Sequence, residues 1–137
     1  MNPREQHDPE QGAVSIFIAV LAVAFLMVAG LAIDGGRKLG ALSEARDLAD
    51  NAARAGAQAI DTDAYRATGT VLVDPDAAAQ AAADYLATVG HTGTVNVAAD
   101  TVTVTVQLQV NTRFLPGPWT VTATESAAPV LGAQGAP

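Results

Sequence analysis

Cysteine is absent from the 137-residue chain, which excludes disulfides and thiolate metal sites. Aromatic residues are scarce. Phe17, Phe25, Phe114, Trp119, Tyr65 and Tyr85 are the full set, and two of the three Phe fall inside one apolar block near the N-terminus. Outside that block little remains for a core but Ala, Val and a few Leu, so the interior is predicted to be thin and supported partly by neighbouring chains. Basic residues are outnumbered, 7 against 14 acidic ones, for a net charge of −7. Binding phosphate needs a basic stripe, so nucleic acid is excluded as a partner. No run of like charges occurs, which excludes an acidic tail. The two histidines, His7 and His91, are far apart, and Ser15 lies within the apolar run. No nucleophile elbow, paired carboxylates or glycine-rich phosphate loop stands out, so neither a catalytic site nor a cofactor is predicted. Asp61, Asp63, Asp74 and Asp76 gather oxygen ligands but lack EF-hand-like spacing, and no metal site is predicted from them.

What the sequence does contain is a long apolar run. Residues 13–33 read AVSIFIAVLAVAFLMVAGLAI, without a charge. As a helix at about 1.5 Å per residue this run reaches roughly 30 Å, the thickness of a bilayer's hydrocarbon core. A cleaved secretory signal has a basic leader and a shorter apolar stretch. Here the leader, residues 1–12, sets Arg4 against Glu5, Asp8 and Glu10. The run therefore reads as a retained transmembrane helix. Arg37, Lys38 and Arg46 follow it, and by charge count alone they would place the C-terminal side in the cytoplasm.

Residues 34–60 continue with helical period. Glu44, Asp47, Asn51, Arg54 and Gln58 make a polar face, while Ala41, Ala45, Leu48, Ala52, Ala55 and Ala59 make an apolar stripe widened by Leu42, Ala49, Ala53, Gly56 and Ile60. This amphipathic helix is predicted to continue the span as one rod, with Gly35 and Gly36 as its soft point. Residues 61–72 read as a loop with a short extended piece over 70–73. Asp74 as N-cap, Pro75 at the first helical position and Gly90 as terminator then frame a second helix whose stripe is Ala78, Ala82, Tyr85, Leu86 and Val89.

Beyond Gly90 the period becomes two. Residues 94–98 and 101–110 alternate Val or Leu with Thr, Asn or Gln, Asp100 marks a turn, and 119–126 offers a third strand. The predicted fold is α+β and pilin-like: a long N-terminal transmembrane and amphipathic helix, a second helix, and a three-stranded antiparallel meander. Residues 61–128 form the small domain, and 129–137 a flexible tail.

Two features bear on assembly. Ala32, Gly36 and Gly40 recur every four residues, as do Ala52 and Gly56, a spacing that lets helix backbones approach closely in lipid. Asp34 marks the membrane edge, where Arg37 and Lys38 lie three and four residues on and offer pairing within the chain or to a neighbouring subunit.

The Gly-Ala-Val-Ser-hydrophobic opening at Gly12, the single span, and AIDGGRKLGALSEARDLADNAARAGAQAID over residues 32–61 together resemble the TadE/TadG-like proteins of tight-adherence (Flp) pilus systems, actinobacterial type. The Asp34-Gly35-Gly36-Arg37 step and the run from Ala53 to Ala59 carry most of the resemblance, and VDPDAAAQAAADYLATVG and TVTVTVQLQV look like the family's second helix and sheet. The resemblance implies a pilin-like or accessory subunit whose N-terminus is cytoplasmic and whose αβ domain is extracytoplasmic, opposite to the bare charge count. Its implied partners are the lipid bilayer, other pilin-like subunits, and pilus-assembly or secretion components. It also implies a processing site at Gly12–Ala13. The fifth residue after that site is Phe17, where substrates of this peptidase class carry Glu. The alternative reading is a bitopic scaffold or assembly factor that stays outside any filament.

Overall fold

The computed structural model describes residues 9–129, so the start of the leader and nearly all of the tail lie outside the described residues. The first element, α1, is one helix over Pro9–Ala57, 49 residues long. It passes through Gly35 and Gly36 without a break, although glycine lowers helix propensity by about 1 kcal/mol relative to alanine. The glycine pair is bracketed by two contacts, from Asp34 to the Arg113 N–H and from Lys38 to the Trp119 ring.

The predicted loop after α1 contains a further helix, α2, over Thr62–Thr68. Its end groups are satisfied locally. The Asp61 carboxylate accepts from the Asp63 and Ala64 N–H groups, and Gly69, at φ 70°, closes the helix in the left-handed region. Ile60 and Val73, on either side of α2 in the sequence, form an isolated antiparallel bridge. The next helix, α3, spans Pro75–Thr88 with Asp74 as N-cap, as the sequence predicts. Ala78, Ala82 and Leu86 of its stripe are buried and Tyr85 is half-buried, whereas Val89 is exposed beyond the helix end.

The strands β1 (Gly93–Ala98), β2 (Thr101–Val110) and β3 (Trp119–Ala127) form an antiparallel sheet in the order β1-β2-β3. Alternation along β2 decides its two faces. Val102, Val104, Val106 and Val110 are buried against α1 and α3, while the opposite face is polar. There the Thr103 and Ser126 hydroxyls lie 2.9 Å apart, as do those of Thr105 and Thr124, tying β2 to β3 across their register.

α1 packs against β2, β3 and α3, and α3 also covers β1, so both helices share one face of the sheet. The core is thin, as expected: Ala45, Ala49, Ala52, Ala53 and Ala57 of α1 meet Ala78 and Ala82 of α3 and the valines of β2, with Leu86 the largest fully buried side chain. Small side chains bring the helices close to the sheet, and the predicted polar face of α1 is exposed throughout.

β1 and β2 are joined by Ala99 and Asp100, with Ala99 at φ 56°. A side chain in this left-handed region costs about 1–2 kcal/mol, against roughly 0.5–1 kcal/mol for the extra backbone freedom of glycine. Ala99→Gly is therefore expected to stabilise the chain by up to about 1 kcal/mol, read as a higher thermal midpoint of the full protein in detergent. An unchanged or lower midpoint would contradict this account of the turn.

Candidate functional site

The most distinctive surface is the N-terminal half of α1. Every residue from Gly12 to Ala29 is exposed, although this stretch is almost entirely apolar. Val20, Phe25, Leu26 and Met27 each leave more than 60% of their surface uncovered. An apolar surface of this extent marks an interaction site, and the helix is long and apolar enough to cross a membrane. No flexible linker separates it from the domain, because the same helix continues to Ala57 beneath the sheet.

The rod meets the domain at Asp34, which is fully buried. Its carboxylate accepts three backbone N–H groups from the loop between β2 and β3: Arg113 donates to Oδ1, and Phe114 and Leu115 donate to Oδ2, each at 2.9 Å. Three successive amides around one carboxylate form a nest for an anion. The Arg113 N–H does most to hold the Asp34 carboxyl below its ordinary value of 3.8; desolvation opposes this, and the Phe114 and Leu115 N–H groups and the Arg37 charge add to the lowering. Asp34 thus takes its hydrogen bonds from residues nearly eighty positions away in its own chain, rather than from the near neighbours Arg37 and Lys38.

The same loop and the first residue of β3 make two further contacts to α1. The Phe114 ring lies over Gly30, where an added Cβ would come within 2.9 Å of the ring's Cγ. Lys38 Nζ sits 4.8 Å from the centroid of the Trp119 ring, a cation–π contact worth roughly 0.5–1 kcal/mol when exposed. Phe114 and Trp119, two of the few aromatics, are thereby used to clamp the loop onto the rod. The sequence offers one sign of this clamp: an apolar Phe114-Leu115 pair inside an otherwise turn-rich segment.

The small residues fall into two groups. Gly36 and Gly40 face open space, and Ala32 is exposed. Ala52 and Gly56 are buried inside the chain. A Cβ on Gly56 would meet the Ala78 carbonyl oxygen and Val102 Cγ1, both at 2.9 Å, so close helix approach at this pair is to α3 and β2 of the same molecule. Arg37 is exposed on the rod, and Gly12 and Ala13 stand exposed in its first turns. Asp61 and Asp74 each cap a helix, and among the described residues no group of three His, Asp or Glu is placed to hold a metal ion.

No curated protein and no solved structure matches the chain. The Tad family model, described as Flp pilus-assembly TadE/G-like, matches residues 12–59, so the likeness covers the N-terminal rod, and α3 and the sheet lie beyond it.

Proposed function

We propose that the protein is a pilin-like or accessory subunit of a tight-adherence (Flp-type) pilus or a related secretion machine. It is anchored by a single pass of α1 with the C-terminal domain extracytoplasmic, and it assembles through helix contacts with other pilin-like subunits. The observation that carries this reading is the uncovered apolar half of α1, stiffly continuous with the folded domain and falling within the segment matched by a pilus-assembly family. Such a rod is solvated by lipid before assembly, and neighbouring helices can later bury the same surface. Its role is structural, and no catalytic step is assigned to it.

The exposed small-residue face at Ala32, Gly36 and Gly40 is a part of the rod where a neighbouring helix can approach closely, because nothing larger than a methyl group stands there. Gly36→Leu is expected to reduce surface piliation strongly while membrane insertion is kept and thermal stability is not lowered. Normal piliation in this variant would overturn the assembly role of that face.

A bitopic scaffold that never enters a filament is the second reading. It is favoured by Phe17, which stands where a processed pilin-class subunit would carry Glu. N-terminal sequencing of the mature protein separates the two: a chain starting at Ala13 supports the filament subunit, and an intact leader supports the scaffold.

A further inference from the structure

The loop between β2 and β3, residues 111–118, is built for a place where water is scarce. Its Arg113, Phe114 and Leu115 N–H groups all end on Asp34. Pro116 and Pro118 have no N–H to satisfy. The Thr112 hydroxyl lies 2.6 Å from both the Leu115 and Gly117 carbonyl oxygens and shares its one hydrogen between them, and Gly117 takes the left-handed conformation, φ 82°, that the tight turn requires. A loop tip that satisfies so many of its own backbone groups can enter a low-dielectric medium at little cost, whereas an ordinary hydrated loop cannot.

Its outward side chains fit such a medium. Phe114 is 63% exposed although its ring rests on Gly30. Gly30 lies three residues inside the end of the apolar run, or about 4.5 Å along the helix axis. A bilayer that takes up residues 13–33 therefore surrounds the Phe114 ring as well. Arg113 is exposed beside it, and Arg37 and Lys38 lie about one turn beyond Asp34 on the rod, forming a basic collar in a chain that is acidic overall.

We propose that the β2–β3 loop is a second, shallow membrane contact, with Phe114 among the outer acyl chains of the leaflet from which α1 emerges and Arg113, Arg37 and Lys38 at the level of anionic phospholipid headgroups. The occupant of this surface is lipid because the patch is continuous with the apolar span and lies at the depth where interfacial aromatics and cations sit. With the span as one fixed point and the loop as the other, the domain keeps one tilt relative to the membrane. The proposal rests on α1 crossing the bilayer.

The test uses the full chain with Trp119→Phe as background, carrying either Phe114→Trp or Phe25→Trp, reconstituted at high dilution in phosphatidylcholine–phosphatidylglycerol vesicles. Fluorescence quenching is compared between lipids brominated near the carbonyl end and lipids brominated near the methyl end of the acyl chain. The Phe114→Trp probe is expected to be quenched about twofold more by the shallow bromines than by the deep ones, and to be shielded from aqueous acrylamide. The Phe25→Trp probe, near the middle of the span, is expected to show the reverse depth preference. If the Phe25→Trp probe is quenched by deep bromines while the Phe114→Trp probe is reached only by acrylamide, the loop contact is wrong and the anchor stands. If bromolipid and acrylamide both fail to reach the Phe114→Trp probe, protein covers it and the lipid proposal is overturned. If bromines fail to quench the Phe25→Trp probe, the anchor itself is wrong and the loop contact falls with it.

Discussion

Asp34→Ala is expected to release the β2–β3 loop from α1 while the rest of the sheet stays packed on that helix. The substitution removes the acceptor of three part-buried N–H groups at once. Leaving a buried N–H without a partner costs roughly 1–3 kcal/mol, so the loop will swing out to find water rather than stay docked. Amide hydrogen exchange at residues 113–115 should then accelerate by orders of magnitude, while β2 and β1 keep their protection. Asp34→Asn should be intermediate. Its one carbonyl oxygen can replace Oδ2 and serve Phe114 and Leu115, but its NH2 group then faces the Arg113 N–H, donor against donor. Acid provides a parallel test. Because the folded carboxyl titrates below its ordinary value of 3.8, its contribution is present above that pH and is lost as pH falls through the lower folded value. Loop protection should hold from neutral pH down to about 4 and disappear only in stronger acid; equal exchange in wild type and Asp34→Ala at neutral pH would show that the carboxylate does not hold the loop.

The second large effect is expected at Gly56. Glycine within a helix ordinarily costs about 1 kcal/mol, so replacing it should help unless space forbids. Here space forbids it: the first added carbon already meets backbone at Ala78 and a core valine at Val102. Gly56→Leu adds three more carbons to that contact, and overpacking of this kind costs typically 1–3 kcal/mol and occasionally more. The steric cost outweighs the propensity gain, and the core that must absorb it is built largely of alanine. The full-length protein in detergent should lose at least about 2 kcal/mol of stability in a urea melt. Gly36→Leu, on the same helix but facing open space, should raise stability in the same melt by up to about 1 kcal/mol. A Gly56→Leu melt superimposable on wild type would show that α1 does not pack on α3 and β2 at this residue.

The contrast between these two glycines shows what the sequence could and could not convey. Small residues four apart have the same pattern at Gly36 and at Gly56, and nothing local separates an outward from an inward pair. The difference comes from α3 and β2, which fold back onto only one of them. The alternation of β2 was legible because period two has one interpretation, and so was α3, because Asp74-Pro75 is a local start signal that needs no tertiary partner. The short α2 was missed although Asp61 and Gly69 carry similar signals, since seven residues with none buried leave no apolar stripe to read. Asp34 was legible as a charge at the membrane edge. Its true partners, three amides on a hairpin loop seventy-nine to eighty-one residues away, leave no trace in side-chain identity because the donors are backbone. The soft point expected at Gly35 and Gly36 does not interrupt α1, and the same contact lies beside it.

The central claim is that residues 13–33 are solvated by lipid while one face of the rest of the same helix packs against the sheet and α3. Extraction of membranes from cells expressing the full chain tests it most directly. The protein should remain in the pellet through alkaline carbonate and high salt and be released only by detergent. Recovery of the chain in detergent-free buffer as a soluble monomer, with residues 13–33 still attached, would contradict it.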